Sequence, residues 1–402
     1  MPIGWIDFSK SERNKVIGVL DLLSESATLD ELGIAPIRDG FANLFFPGTS
    51  TIQTRAKYFF IVPYAIRDLE LGGQYMPNAF QSALNARERA CCQKLVEIEG
   101  SADGIIGRRT LSSSNWVKRT PADVYWAGLR QYGIFLGGNY SLSEYIRAVC
   151  NLKMQKGTLK NLGNRNDSAG DDDKDDTNAG DVRGYRFWNM PLYQKEWFQT
   201  LQLDLTQEEG AFLKEQILRT CPNSLMALIL RENLSETLEV KNFRGLGSVI
   251  DRMPEQMQEN YRLAVQFSDF IYALRTVYNV ITSNGKLESA MEELERQQPI
   301  FSRLADLDID YIMQRLSVYN PGLRTFLLQA KQHMKHGDLE PLKQCIKARE
   351  VNLKGQSRAK TCHPDQYGDF WLGGGELDYR FFNARTIMRD IFNSEVKGNA
   401  KS

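Results

Sequence analysis

The chain has 402 residues, and its 50 lysines and arginines balance its 50 aspartates and glutamates. That length exceeds what one hydrophobic core ordinarily organises, so two compact units are expected. A neutral chain has no global field to draw it onto nucleic acid or an anionic membrane, and any such role must come from local patches.

The opening MPIGWIDFSKSER lacks a basic stretch followed by an apolar one, and no run of about 18 apolar residues occurs. Neither a secretory signal nor a membrane span is expected. Thr28 and Glu31 have capping-box spacing, with Gly33 placed to end the helix they open. A helix-turn-helix drawn from Thr28 through Phe46 would have only Arg38, Asp39 and Asn43 to read bases with, so this stretch is read as core.

The segment FPGTSTIQTRAKYFFIVPY, residues 46–64, admits two readings. Hydroxyls and backbone N–H groups of Thr49, Ser50, Thr51, Gln53 and Thr54 at a helix start, with Arg55 and Lys57 one turn on, suit a phosphate oxygen. Alternatively Ser50 or Thr51 caps a helix that buries Ile52, Ala56, Phe59 and Phe60 and shows Arg55 and Lys57 to solvent. Aromatic and branched residues at 58–62, and Ile105 with Ile106, predict a short strand or two.

Next come Gly107, Arg108, Arg109, Trp116, Lys118 and Arg119, then Arg130. Cations interleaved with aromatics resemble surfaces that follow a nucleic-acid backbone, the other reading being solvated arginines beside core aromatics. The candidate nucleic-acid contacts are therefore Thr49, Thr51, Gln53, Arg55, Lys57, Arg108, Arg109, Lys118, Arg119 and Arg130. Thr120, Pro121 and Asp123 open a helix that Gly133 ends, and Ser141 with Glu144 opens another striped by Leu142, Tyr145, Ile146, Val149 and Cys150.

Residues 161–184 hold seven acidic residues and no aromatic, and cannot offset the entropy of ordering. They are read as a disordered acidic linker or loop. Beyond it, apolar residues recur at three and four positions from Leu263 to Ile281, and further stripes follow at 300–307, 323–330 and 339–346. The expected fold is mainly α. An N-terminal helical domain (1–160) carries the basic patches and any short strands, and a C-terminal helical-bundle domain spans 185–402. Lys343, Lys347, Arg349, Lys354, Arg358 and Lys360 make the most basic window, against Glu350 alone.

Catalytic signatures are sparse. No phosphate-binding loop, nucleophile elbow or zinc helix is present, and no cofactor is expected. Of the three histidines, His333 and His336 are read as lying on a solvated helix face. His363 shares one loop with Cys362, Asp365 and Asp369, residue types that ligate zinc or magnesium. The six cysteines, Cys91, Cys92, Cys150, Cys221, Cys345 and Cys362, show no paired spacing and are read as reduced thiols in a cytoplasmic protein.

The motifs GWIDFS, TLDELGIAPIRDGF, FPGTSTIQTRAKYFFIVPY, IIGRR and TPADVYWAGLRQYGI, with the closing GGGELDYRFFNARTIMRDI, resemble an uncharacterised bacterial family of unknown function. Members of that family accompany helicase, phospholipase-D-like nuclease and methyltransferase proteins in antiviral islands. The resemblance implies a non-catalytic subunit of an antiphage complex that binds DNA, partner proteins or both. A metal-dependent nuclease or other hydrolase built on His363, Asp365 and Asp369 is the alternative.

Overall fold

The computed structural model describes residues 30–163 and 187–399, apart from Gln74, Ser114, Asn115 and Leu192. Thr28, and all but the first three residues of the acidic segment 161–184, lie outside the described residues. In chain order the longer helices are α1 (Ala35–Phe45), α2 (Tyr58–Gly72), α3 (Pro77–Glu99), α4 (Pro121–Gln131), α5 (Leu142–Gly163) and α6 (Gln207–Thr220). They continue with α7 (Leu225–Arg231), α8 (Glu255–Thr282), α9 (Glu288–Gln297), α10 (Pro321–His336), α11 (Leu339–Lys354) and α12 (Phe381–Asn399).

The fold is mainly α, and the described residues contain no strand. One isolated antiparallel bridge joins Phe135 and Trp188. The strands expected at 58–62 and at Ile105 and Ile106 are absent. Residues 58–62 open α2, in which Tyr58 through Ile66 are all buried. A helix apolar all round has no periodicity to tell it from a buried strand. Ile106 lies in a turn, its N–H donating to the Tyr58 hydroxyl at 2.8 Å. No helix among the described residues is long and apolar enough to cross a membrane, and all six cysteines are free thiols.

The chain forms two compact units, one of residues 1–41 and 254–377 and the other of 42–253 and 378–402. We call them the α8 unit and the α2 unit. This differs from the division expected at the acidic segment, because residues on both sides of that segment share one core. In the α2 unit, α12 packs along α6, and α2 packs on α3 and α4. Trp126, Phe135, Tyr145 and Trp188 form one aromatic cluster. Within it the Tyr145 hydroxyl and Trp188 Nε1 both donate to Glu70. The capping box of Thr120 with Asp123 forms as expected, and Ser141 likewise exchanges bonds with Glu144.

In the α8 unit, the 28-residue α8 buries the expected stripe from Ala264 to Tyr278 against α11 and α9. The most basic window is divided: Lys347 and Arg358 are exposed and Lys343 and Arg349 half-buried, whereas Lys354 and Lys360 are internal. Lys354 is 4% exposed at its side chain and pairs with the wholly buried Glu350 at 3.0 Å, and Lys360 pairs with Glu31 at 3.4 Å. Arg349 Nε donates to the Leu32 carbonyl at 2.9 Å. Helix α1 is core, as expected, with Ile37 and Phe41 fully buried.

Glu350 also accepts from the Tyr278 hydroxyl at 2.8 Å and from Thr361 N at 2.9 Å. Burial pushes its carboxyl up, yet these bonds and the Lys354 ammonium outweigh burial and hold it below its usual range. A depressed carboxyl contributes stability that is present above the unfolded value, about 4.3, and is lost as pH falls through the folded one. Glu350→Gln, which strands the Lys354 charge, is expected to destabilise the α8 unit by about 3 kcal/mol at pH 7. It should also flatten the loss of stability below about pH 4. Amide exchange along α8 across pH checks both outcomes, and unchanged protection in the variant would contradict this account.

Candidate nucleic-acid interface

Residues 46–57 do not open a helix at Ser50 or Thr51. They form turns, and α2 begins only at Tyr58. The polar side chains are spent on these turns. Thr49 Oγ1 donates to the Phe46 carbonyl at 2.6 Å, and Gln53 Nε2 donates to the Gly48 carbonyl at 3.1 Å while its Oε1 accepts from Ser50 N at 3.2 Å. Thr49 and Gln53 are buried, whereas Thr51 is exposed and its carbonyl accepts from Asn383.

The two cations that follow are committed to carboxylates. Arg55 Nε lies 3.0 and 2.9 Å from the two oxygens of Asp390, and its Nη2 lies 2.7 Å from Asp204. Lys57 Nζ lies 2.7 Å from both oxygens of Glu209, and both side chains are under 9% exposed. The second reading holds for Ala56, Phe59 and Phe60, which are buried, but no helix opens at Ser50 or Thr51 and the cations are not shown to solvent. Thr49, Gln53 and Lys57 are buried, half-buried Arg55 is paired with two carboxylates, and neither cation offers a free charge to phosphate. The partners of the two cations come from residues 149 to 335 positions away, which no local pattern could announce.

What the segment does is mount the next loop. Thr54 Oγ1 donates to the Gly104 carbonyl at 2.7 Å. The Tyr125 hydroxyl accepts from Thr54 N and donates to the Arg55 carbonyl, each at 2.8 Å. Loop 104–110 is thereby pinned at its start by Thr54 and Tyr58. Trp116 Nε1 holds the Gly107 carbonyl at 3.1 Å. Gly107 has φ +81°, and a Cβ there would lie 2.2 Å from Trp116, so only glycine fits both the backbone and the contact. Arg89 Nη2 fixes the far end through the carbonyls of Leu111, at 2.6 Å, and Ser113, at 3.1 Å.

This frame carries a shallow cleft of about 300 Å3 whose lining includes Thr54, Gly107, Arg108, Arg109, Thr110 and Val117. Arg109, Lys118 and Arg119 are exposed, with no ion pair among the described residues, and Arg108 meets only the exposed Asp103 at 3.9 Å. The Trp116–Gly107 bond joins the two cationic stretches into one patch. Arg130 is separate, in the last turn of α4 roughly 13 Å along the helix axis from Pro121. Its guanidinium donates to the Gly138 carbonyl and Asn139 Oδ1. The interleaved tryptophans are no stacking platform, since Trp116 and Trp126 are buried and their Nε1 atoms are bound to carbonyls. Such a surface can neutralise phosphates but cannot stack bases.

Sequence reasoning missed Arg89 and Glu88. Glu88 is buried and accepts from Ala122 N at 2.6 Å, anchoring α4 just after Arg119. Burial pushes its carboxyl up to about 8. At the His363 loop, Cys362 and His363 are half-buried and Asp369 is exposed, while the Asp365 side chain lies outside those described. Among the described residues no three His, Cys, Asp or Glu side chains are grouped to hold a metal.

If Lys57 is structural, its removal must act on stability through Glu209. Lys57→Met alone is expected to lower unfolding free energy by about 3 kcal/mol, because a buried carboxylate is left unpaired. Lys57→Met with Glu209→Gln, which preserves the capping box with Thr206, should recover most of that loss. Urea denaturation of the three proteins checks it, and additive losses would reject the pairing.

Residues 2–153 match the model of a family of unknown function, DUF6361. The matched stretch contains the whole cationic patch together with Arg55 and Lys57, and stops short of their partners Asp204, Glu209 and Asp390. No curated protein and no solved structure matches the chain.

Proposed function

We propose that this protein is a non-catalytic subunit of a bacterial antiviral defence complex. It binds nucleic acid through the patch of Arg108, Arg109, Lys118 and Arg119 and works beside partner proteins such as a helicase or a phospholipase-D-like nuclease. The defence setting rests on the family resemblance of the sequence motifs, and the match over residues 2–153 supports kinship with a family of unknown function. The observation that carries the nucleic-acid reading is the mounting of the cations. Half-buried Arg108 and exposed Arg109 sit on a loop held by Thr54, Tyr58, Trp116 and Arg89, beside the exposed Lys118 and Arg119. Side chains on a fixed backbone lose less freedom when they meet phosphate than the same charges on a mobile loop. The contacts are with the backbone, so affinity is independent of sequence and sensitive to salt.

Replacing all four residues by alanine is expected to weaken binding to DNA of any sequence. It should also reduce the slope of log affinity against log salt by about 3 to 4, near 0.9 for each phosphate no longer neutralised. Arg130→Ala should leave both nearly unchanged. Gel-shift titrations at several salt concentrations measure this, and a quadruple variant that binds like wild type at low salt would sink the proposal.

A further inference from the structure

The α2 unit holds a second cavity, of about 130 Å3, whose lining includes Lys57, Tyr64, Gln194, Trp197, Glu208 and Glu209. The Tyr64 and Trp197 rings lie 5.5 Å apart, tilted by 46°. Trp197 is held in place, since its Nε1 donates to Asp68 at 3.1 Å and the Arg87 guanidinium covers its ring at 5.3 Å. Asp68 also accepts from Arg87 Nε at 2.8 Å and from the Tyr193 hydroxyl.

Two features of this lining have no partner. Tyr64 is 8% exposed, yet its hydroxyl makes no hydrogen bond among the described residues. The ring is buried, but the oxygen is not enclosed and keeps accessible surface on the cavity wall, where an occupant can make a bond to it. Glu208 is exposed and forms no ion pair among the described residues. Lys57 cannot balance it, because both oxygens of Glu209 already hold that ammonium at 2.7 Å. The lining therefore carries, in the first turn of α6, one carboxylate without an ion-pair partner beside two aromatic rings, a combination that attracts cations.

We propose that this cavity binds an organic cation, an ammonium or guanidinium head held by Glu208, the Tyr64 hydroxyl and the two rings. The volume admits such a head with its first methylenes. An anion is disfavoured by Glu208. The group can arrive as a free amine or as a lysine or arginine side chain of a partner protein. The proposal uses none of the residues of the nucleic-acid patch, so the two stand or fall separately.

Calorimetric titration of the full chain tests it with butylamine, arginine amide and a short arginine-containing peptide, and with butanol as the uncharged counterpart. Saturable binding of the cations is expected, at least ten-fold weaker in Glu208→Gln, with no response to butanol. Glu208 is exposed and unpaired, so the variant should fold as wild type, which circular dichroism verifies. A peptide that binds more tightly than either free cation identifies a partner's side chain, and equal affinities identify a free amine. Absence of saturation with every cation, equal binding of butanol, or full affinity in folded Glu208→Gln overturns the proposal.

Discussion

Arg55 ties two distant stretches of the α2 unit to its own through one guanidinium. Asp390 on α12 takes its Nε, Asp204 ahead of α6 takes its Nη2, and Asp390 also accepts from Ala56 N at 2.8 Å. Such an arrangement specifies more than it stabilises. Burial pushes the Asp390 carboxyl above its ordinary range even with Arg55 beside it, a sign that desolvation is only partly offset. The alternative is worse, since any packing that separates these groups leaves a charge buried alone. The clamp therefore selects one arrangement of α2, α6 and α12. The Lys57–Glu209 pair repeats the device two residues on.

The cations of residues 46–119 thus divide by task. Arg55 and Lys57 are consumed in building the unit, and Arg89 is consumed in holding the carbonyls of Leu111 and Ser113. Arg108, Arg109, Lys118 and Arg119 are left on the outside of what the others hold together. Close approach of backbones makes this possible. Gly128 on α4 lies where a Cβ would meet the Gly48 carbonyl at 2.6 Å and the Phe59 ring at 2.8 Å, so no larger residue would let α4 and the 46–53 turns come together.

Local rules were legible in the sequence wherever the physics was local. The capping box at Thr120, the opening at Ser141 and the amphipathic stripe of α8 all involve residues three or four apart, and each stands in the structure. The division of the chain was not legible, because it rests on distant segments packing together, above all α12 along α6. The same holds for the roles of Arg55 and Lys57. A basic residue reads identically whether it faces water or a carboxylate brought from elsewhere. Arg108 and Arg109 stand out in the sequence because glycines and cations crowd a short loop, while Arg89 does not, because it holds carbonyls, which every residue possesses. The cavity at Trp197 left no trace for a similar reason, its lining being drawn from residues 57 to 209.

The return of the chain to the α2 unit at Asp378 sets an order on its birth. A ribosome releases Arg55 and Lys57 early, supplies Asp204 and Glu209 next, and delivers Asp390 only after the whole α8 unit has emerged. Until then Arg55 has half its clamp, and the surface of α6 that α12 covers stays wet. Completion of this unit is thus a late event in translation, after the intervening unit is already free to fold. A nascent chain stalled after Leu377 would carry one unit able to finish and another that cannot yet close.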